Sequence, residues 1–337
     1  MPKILIVGAT GLVGKTLLEI LFNQKSVEPN DIYLLASAKS RGTIVDLPDI
    51  NNTKKQIISF DDLGNVEKVD IVFLCASSQV SKSSYHLLRS AYPDSYIIDN
   101  SSYFRMDPNV DIIVPPVNGY KLSPAKQLYS NSNCVVSGLV IYLDALRKCL
   151  SGKLTDVRVT TFQSVSGSGY NGLNQLEDER NGRYSDQPFY TTEIHNNIIP
   201  LIGKLEETGY TEEETKIMEE TSKILDDPML DISATCVRCP IERGHSMSVE
   251  VTTDRALSLE DVCLLPSLLT MVQPSLVFTE RQIRPSEVAK THQVYVRRLR
   301  INQHNNRHLS AFLTLDNLYR GASYNSYEIA RDLSLLP

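Results

Sequence analysis

Two hydrophobic patterns divide this chain. In roughly the first third, short runs of consecutive apolar residues, such as residues 3–7 and 69–76, alternate with segments at helical spacing. Consecutive apolar residues are typical of parallel strands buried on both faces. Strands that alternate with helices predict a doubly wound α/β sheet. We therefore expect this part of the chain to form an open, largely parallel sheet covered by helices.

The second half has a different texture. Residues 157–165 alternate apolar and polar side chains, which is typical of a strand with one solvated face. Residues 170–200 are rich in Asn, Asp, Gly, Tyr and Arg and predict a long loop with at most one short helix. We expect an α+β domain with a largely antiparallel sheet. Its other predicted strands are 232–241, 247–253, 294–299 and 309–315, and its predicted helices are 135–150, 212–225 and 257–271.

A glycine-rich turn follows the first apolar run. Gly8, Gly11 and Gly14 are spaced G-x-x-G-x-x-G, and apolar residues at helical spacing come next. Strand, glycine turn and helix together are the context of a dinucleotide-binding turn. The glycines allow close approach to a pyrophosphate, and the helix N-terminus faces that anion. The spacing is a variant of the more common G-x-G-x-x-G, but its position favours a nicotinamide dinucleotide.

The turn after the second predicted strand, residues 32–36, bears on cofactor selectivity. NAD-selective sites usually carry an acidic residue there for the ribose 2′-OH. Here the turn contains Ser37, Lys39 and Ser40 and no acid. Hydroxyls and a cation suit a 2′-phosphate, so we favour NADP. The alternative is a merely solvated basic turn.

A candidate nucleophile stands just before an apolar helical run. Cys134 ends the sequence Ser-Asn-Ser-Asn-Cys, and residues 135–150 follow it. A thiol at a helix N-terminus meets unpaired N–H groups and the positive end of the dipole, which favours the thiolate. Asn133 is a good capping residue. The alternative interpretation is an inert buried cysteine.

Polar residues downstream favour the functional interpretation. Gln163 ends a strand, Glu213 and Lys216 share a helix face, and Arg238 lies in a strand-like segment before His245. Each alone has a structural explanation, such as a solvated ion pair on the helix. Cys236 and Cys239 form a C-x-x-C without a second pair, so we expect no metal site.

Composition narrows the function class. At 337 residues the chain is long enough for about two domains. Its net charge is −6 without a long basic block, which argues against nucleic acid. No apolar run is long enough to span a membrane. Six scattered cysteines and no signal-like N-terminus lead us to expect reduced thiols and a cytoplasmic location.

Taken in order, these motifs resemble the aspartate-β-semialdehyde dehydrogenase family over essentially the whole chain. The family patterns are G-A-T-G-x-V-G, S-N-P-N-C, Q-x-V-S-G-x-G and R-x6-H, and they correspond here to segments that begin at Gly8, Ser130, Gln163 and Arg238. Residues 317–325 resemble the family's C-terminal cofactor segment. Two departures are Ser132 in place of the usual Pro and Lys39 in place of a frequent Arg, which keeps the charge but loses the fork geometry.

The resemblance implies a fold, a reaction and residue roles. It implies a Rossmann-like NADP-binding domain, residues 1–133 completed by about 317–337, and a catalytic and dimerisation domain, residues 134–316. It implies NADPH-dependent reduction of L-4-aspartyl phosphate to L-aspartate 4-semialdehyde and phosphate, in the biosynthesis of lysine (with diaminopimelate), threonine, methionine and isoleucine. The expected assembly is a homodimer or homotetramer.

The implied site has three groups of residues. Cys134 is the acyl-carrying nucleophile, His245 is the acid/base, and Gln163 orients the substrate. Asn133 is the fourth residue of the implied catalytic group. Arg105 and Lys216 bind phosphate, Arg238 binds the α-carboxylate and Glu213 the α-amino group. The implied cofactor residues are Gly8, Thr10, Gly11, Leu12, Val13, Ser37, Lys39, Ser40, Ser77, Ser166, Gly167 and Asn325.

Two alternatives remain at this point. N-acetyl-γ-glutamyl-phosphate reductase shares the glycine turn and the cysteine strategy. Asn133, where that family usually has Gly, and Glu213, which suits a free amine, favour the aspartyl substrate. A catalytically silent NADP-binding relative is the other alternative, and the presence of Cys134, Arg238 and His245 argues against it.

Overall fold

The structure is a computed structural model and describes residues 1–336. The chain forms two compact units. Unit 1 contains Met1–Ser132 and the segment from Ala322 onward, and unit 2 contains Asn133–Gly321. The strands are β1 (Ile4–Val7), β2 (Ile32–Leu35), β3 (Ile44–Asp46), β4 (Lys54–Ile58), β5 (Ile71–Leu74), β6 (Tyr96–Asp99), β7 (Ile112–Ile113), β8 (Leu128–Asn131), β9 (Leu154–Gln163), β10 (Asp231–Arg238), β11 (His245–Thr253), β12 (Leu276–Phe278), β13 (Val294–Ile301) and β14 (His308–Leu315). The α-helices are α1 (Leu12–Asn23), α2 (Ser78–Ala91), α3 (Pro115–Asn118), α4 (Cys134–Cys149), α5 (Gly169–Arg180), α6 (Glu212–Leu225), α7 (Leu259–Val272) and α8 (Tyr324–Asp332).

Unit 1 is built on a largely parallel sheet. Its strand order is β3-β4-β2-β1-β5-β6-β8-β7, and only the β3–β4 pair is antiparallel. All four residues of β1 and all four of β5 are buried, as their continuous apolar sequences predict. Helix α8 packs against α1, α3 and β6. The predicted doubly wound α/β architecture is confirmed.

Unit 2 is built on a mixed sheet of order β10-β9-β11-β14-β13-β12. The central pairs are antiparallel, whereas the pairs at both edges, β10–β9 and β12–β13, are parallel. Helix α4 is buried along nearly its whole length and packs against α6 and α7. The α+β prediction is confirmed. Along most of β11, buried and half-buried residues alternate, because successive side chains point to opposite faces of the sheet.

Several elements differ from the sequence-based expectation. Residues 170–200 were predicted as a long loop with at most one short helix, and α5 occupies Gly169–Arg180, where Leu173 and Leu176 pack into a small cluster with Val165. The short strands β3, β4, β8 and β12 were not predicted. The observed division assigns residues 133 and 317–321 to unit 2, whereas we expected the boundaries at 133/134 and about 317.

Among residues 1–336, no helix combines the length and the apolar character needed to cross a membrane.

Candidate active site

Cys134 is the first residue of α4. Asn133 caps the helix, and its Oδ1 accepts the N–H of Val135 at 2.8 Å. The thiol is partly accessible, while the helix behind it is buried. Gly321 packs directly against it, because a Cβ added there would lie 2.9 Å from the Cβ of Cys134. The nucleophile candidate is therefore held rigidly at the positive end of a helix.

Asn133 links Cys134 to two carboxylates of α6. Its backbone N–H donates to Glu220 Oε2 at 2.7 Å, and its Nδ2 donates to Glu213 Oε1 at 2.9 Å. Gln163 Nε2 also donates to Glu213 Oε1, at 3.2 Å. Three residues predicted from separate motifs thus share one hydrogen-bonded cluster.

Lys216 lies one turn after Glu213 on the same helix and is half-buried. Helix α6 is fixed at its start by a capping box between Thr211 and Glu214. Glu214 also accepts the N–H of Cys236 at 2.8 Å, which ties α6 to strand β10. The helix therefore presents Glu213 and Lys216 from a rigid base.

Arg238 and His245 form a second group around Gly167. Strand register places Arg238 opposite Gln163, and Arg238 Nη1 donates to the carbonyl of Ser164 at 2.7 Å. A Cβ on Gly167 would lie 2.8 Å from Arg238 Nη1 and 3.5 Å from His245 Nε2. Both side chains are buried, and within residues 1–336 neither Arg238 Nε nor His245 Nε2 has a hydrogen-bond partner. Buried donors without partners are typical of sites that bind polar ligands.

The imidazole of His245 has a lowered basicity. Burial, and after it the nearby Arg238 guanidinium, hold the pKa of His245 well below its usual value, and a backbone contact with Gly244 acts in the opposite direction. Both causes penalise the cation. Nδ1 is engaged by Ser164, whose N–H and Oγ each lie 3.1 Å from it.

The main chain before His245 is fixed by Asn317. Asn317 Oδ1 accepts the N–H of Gly244 at 2.9 Å. Gly244 has φ of +92°, and a Cβ there would lie 2.5 Å from the carbonyl oxygen of Pro285. Only glycine fits this turn, which explains the Gly-His sequence.

Unit 1 carries the predicted cofactor turn. Gly8 has φ of +86°, and a Cβ there would lie 2.6 Å from the carbonyl oxygen of Cys75, while one on Gly14 would lie 2.4 Å from Gly8 O. Helix α1 begins at Leu12, and no side chain of residues 1–336 caps it. Its first N–H groups thus face Gly8–Gly11 without a side-chain acceptor, as a pyrophosphate site requires. The residues present fit a dinucleotide.

The other predicted cofactor residues of unit 1 have varied surroundings. Lys39 and Ser40 lie on an accessible turn after β2, where neighbouring Arg41 pairs with Asp62. Ser77 is the N-cap of α2 and accepts the N–H of Val80 at 3.4 Å. Because Lys39 and Ser40 are accessible, the turn after β2 is open to a phosphate.

Arg105 follows β6 and is held by backbone carbonyls. Its Nε donates to Asn131 O and its Nη2 to Asn100 O, both at 2.9 Å. Asn131 is fully buried, donates through Nδ2 to Asn100 Oδ1 at 2.8 Å, and accepts Asn325 Nδ2 at 2.7 Å. Asn325, predicted to contact cofactor, also donates to Ile113 O at 2.7 Å. Asn325 therefore contributes to the network that positions Arg105.

Sequence reasoning missed four supporting residues: Asn131, Ser164, Glu220 and Asn317. Asn131 lies inside the Ser-Asn-Ser-Asn-Cys motif, and Glu220 lies two helical turns after Glu213, so helical spacing could have suggested it. Ser164 and Asn317 belong to segments far apart in sequence, and no local signal connects them.

The Cys-x-x-Cys pair lies in a buried part of unit 2. Cys236 and Cys239 are both buried, and burial raises the pKa of each thiol. Across residues 1–336, no cluster of three His, Cys, Asp or Glu side chains could hold a metal ion.

Comparison with known proteins gives consistent matches. Residues 143–320 match the semialdehyde dehydrogenase dimerisation domain, and residues 3–125 match the semialdehyde dehydrogenase NAD-binding domain. The aspartate-semialdehyde dehydrogenase of Rickettsia bellii (strain RML369-C) is 35% identical, over 98% of this chain and 97% of that protein. The aspartate-semialdehyde dehydrogenase of Bacillus subtilis (strain 168) is 33% identical over the same shares.

A solved structure is similar as well. The crystal structure of aspartate semialdehyde dehydrogenase II from Vibrio cholerae, complexed with ASA, superposes with a TM-score of 0.88 and 27% identity. The match covers 99% of this chain and 98% of that one.

Proposed function

The chain belongs to the aspartate-semialdehyde dehydrogenase family, and we propose that it reduces L-4-aspartyl phosphate to L-aspartate 4-semialdehyde and phosphate with NADPH. The reaction is reversible. The observation that carries the proposal is the cluster at the start of α4, where Asn133 joins Cys134 to Glu213 and Gln163. The product belongs to the biosynthesis of lysine, threonine, methionine and isoleucine.

Cys134 is the proposed nucleophile. Its thiolate attacks the acyl carbon of the substrate, the C–O bond to phosphate breaks, and a thioester forms with release of inorganic phosphate. NADPH, when bound, supplies the hydride that reduces the thioester. The helix dipole of α4 stabilises the thiolate before attack and the thiolate that leaves at the end.

His245 is the proposed acid/base. A hemithioacetal oxyanion develops as the thioester is reduced, and His245 donates a proton to it. The same nitrogen takes the proton back when the C–S bond breaks and the semialdehyde leaves. Because the pKa of His245 is lowered, the ring is neutral at working pH. When Nε2 gives its proton to the oxyanion the ring carries a negative charge, which the nearby Arg238 guanidinium offsets until the proton returns.

The polar groups of unit 2 match an amino-acid substrate. Arg238, with an unengaged Nε among residues 1–336, suits the α-carboxylate. Glu213 uses Oε1 for Asn133 and Gln163, and within residues 1–336 no hydrogen bond engages Oε2, which suits the α-amino group. A free amine distinguishes the aspartyl from the acetylglutamyl substrate. We assign Lys216 and, in unit 1, Arg105 to phosphate binding.

We assign NADP as the cofactor. Its pyrophosphate would lie at the N-terminus of α1, and its 2′-phosphate at Lys39 and Ser40. The turn after β2 has no carboxylate for a ribose 2′-OH. Titrating both cofactors by fluorescence tests this: equally tight NAD binding would reverse the assignment.

A homodimer in the cytoplasm completes the proposal. The match to a dimerisation domain supports self-association of unit 2. Sedimentation velocity tests it, and a single species with the mass of one chain at micromolar concentration would contradict it.

The reverse reaction gives the direct test. L-Aspartate 4-semialdehyde, phosphate and NADP⁺ are mixed with the protein, and NADPH is followed by absorbance. We expect phosphate-dependent NADPH formation, and much slower turnover of N-acetyl-glutamate 5-semialdehyde. Cys134→Ala abolishes turnover and leaves NADP binding intact, whereas Cys263→Ala, at an exposed position on α7, changes neither. A folded protein that forms no NADPH refutes the proposal.

A further inference from the structure

The orientation of the Asn317 side chain is set by an N–H group that can only donate. Gly244 N lies 2.9 Å from the terminal atom of Asn317, so that atom is the amide oxygen Oδ1. The other terminal atom is then Nδ2, and it donates to Ser166 Oγ at 3.0 Å. Asn317 is almost fully buried, so both ends of its amide are fixed by protein.

From Ser166 the hydrogen bonds continue in one direction. Ser166 Oγ accepts a hydrogen bond from Asn317, and it can donate its own proton to Ser164 Oγ, which lies 3.0 Å away. Ser164 Oγ in turn lies 3.1 Å from Nδ1 of His245. The competing acceptor for either hydroxyl is Asn317 Oδ1, at the longer distance of 3.3 Å and already bonded to Gly244. The shorter contacts form a chain from Asn317 through Ser166 and Ser164 to His245.

A second donor reaches the same ring nitrogen. The backbone N–H of Ser164 points at His245 Nδ1 at 3.1 Å, and an N–H cannot accept. Nδ1 is therefore an acceptor, and a neutral imidazole carries its single proton on the other nitrogen. That nitrogen, Nε2, is the buried atom without a partner among residues 1–336, beside Gly167.

We propose that Ser164 is a positioning residue that holds His245 in the tautomer with the proton on Nε2. The hydroxyl of Ser164 is itself oriented by Asn317, through Ser166. The proposal rests on the acid/base function assigned to His245 above. It specifies the order of proton transfer: in the reductive direction His245 acts first as a donor. Ser164 never contacts the substrate in this account, and Ser166 contributes its hydroxyl to the relay.

Nitrogen-15 NMR of the histidine rings tests the tautomer directly. The chain has six histidines, and loss of a signal in His245→Gln assigns the one of interest. Near pH 8, we expect a protonated, pyrrole-like Nε2 and an unprotonated, pyridine-like Nδ1. A protonated Nδ1 in the wild-type protein overturns the proposal. This spectrum needs no turnover, so the tautomer can stand or fall independently of the enzyme activity.

Three variants test the relay. Ser164→Ala removes the last hydroxyl, and Asn317→Asp, of nearly equal shape, removes the first donor. Both keep the backbone N–H of Ser164 on Nδ1, so each is expected to weaken the preference for the tautomer with the proton on Nε2 without reversing it. Ser246→Ala is the matched control, since Ser246 is a buried neighbour of His245 whose hydroxyl pairs instead with Thr314 at 3.1 Å. Wild-type spectra in both test variants overturn the assignment of the relay.

Kinetics separate positioning from simple loss of structure. Loss of one hydrogen bond of about 1 kcal/mol predicts that Ser164→Ala lowers kcat by about three- to tenfold. KM for the semialdehyde is expected to remain within about twofold, because Ser164 does not bind substrate. Ser246→Ala keeps both parameters. A Ser164→Ala enzyme with unchanged kcat, or with the loss entirely in KM, contradicts the proposal.

Discussion

Two buried asparagines, one in each unit, each organise a hydrogen-bond network around a functional side chain. The network of Asn131 reaches Arg105, and the network of Asn317 reaches His245. Asn131 in unit 1 is fully buried and bonds to Asn100, Ala322, Ser326 and Asn325, while its backbone carbonyl accepts Arg105. Asn317 in unit 2 bonds to Gly244 and Ser166 and through them reaches His245. Each asparagine uses both its donor and its acceptor end to join segments that are far apart in sequence.

The difference lies in what each network controls. A guanidinium carries the same charge whichever way its neighbours point, so the Asn131 network sets only the position of Arg105. An imidazole changes its chemistry with the location of one proton, so the Asn317 network also sets the state of His245. Damage to the first should appear in stability and phosphate affinity, and damage to the second in kcat.

Removal of the Asn131 amide is expected to have the largest effect on stability. Asn131→Ala removes one hydrogen bond each from the buried Asn325 amide and the buried Ala322 carbonyl, which costs about 3 kcal/mol in the free energy of unfolding. Urea denaturation followed by circular dichroism measures it. Asn109→Ala, at an exposed position, is the control. A loss below about 1 kcal/mol would show that the network is not cooperative.

A subtler change at Arg105 separates position from charge. Arg105→Lys keeps the charge but loses the planar fork held by the carbonyls of Asn131 and Asn100. We expect KM for phosphate in the reverse assay to rise about 10- to 100-fold, the value of a charge-assisted hydrogen bond. Arg183→Lys, an exposed ion-pair residue, should not change it. An unchanged KM would remove Arg105 from phosphate binding.

The lowered pKa of His245 gives unit 2 a pH dependence of its own. The pKa of an unfolded histidine is about 6.5, so below this pH the unfolded chain binds one proton that the folded chain does not. The free energy of unfolding therefore falls as pH is lowered through 6.5, by up to about 1.4 kcal/mol per pH unit. His245→Gln should lose less stability than wild type between about pH 7 and about pH 5.5. Equal losses would contradict a neutral buried ring, and exposed His304→Gln should behave like wild type.

Ser132, next to Asn131, carries an unsatisfied polar group. Its hydroxyl is buried and has no hydrogen-bond partner within residues 1–336. Asn131 is extended, a conformation compatible with a following proline. Ser132→Pro removes the unsatisfied hydroxyl and stiffens the unfolded chain, so we expect a gain of about 0.5–1 kcal/mol in urea denaturation. Ser132→Ala, expected to give a smaller gain, isolates the hydroxyl; a destabilised proline variant would show that the backbone N–H is needed.

The sequence was most informative where function depends on local structure. The run from β1 through Gly8 to α1, and the start of α4 at Cys134, follow from apolar runs, glycines and caps that lie next to one another in the chain. Gln163, Arg238 and His245 were found because the family motifs keep them in order. The structure groups all three within unit 2, where Arg238 lies opposite Gln163 and, with His245, beside Gly167.

The long-range hydrogen bonds of Ser164, Asn317 and Asn131 could not be predicted, and the reason is physical. Ser164 and Asn317 interact across 153 positions of sequence, and Asn131 and Asn325 across 194. Serine and asparagine are common in loops and turns, so composition does not distinguish a buried relay from a solvated turn. The place and length of helix α5 were not predicted for a related reason, because its Leu173 and Leu176 pack against Val165, Ile194 and Ile199, which lie outside the helix.

The central claim is that the acyl group passes through Cys134, and mass spectrometry of the stalled enzyme tests it most directly. With semialdehyde and NADP⁺ but no phosphate, oxidation can proceed only to the thioester. We expect one aspartyl group on the peptide that contains Cys134, together with one equivalent of NADPH, and release of the acyl group when phosphate is added. NADPH formation with no acyl group on Cys134 would contradict the account.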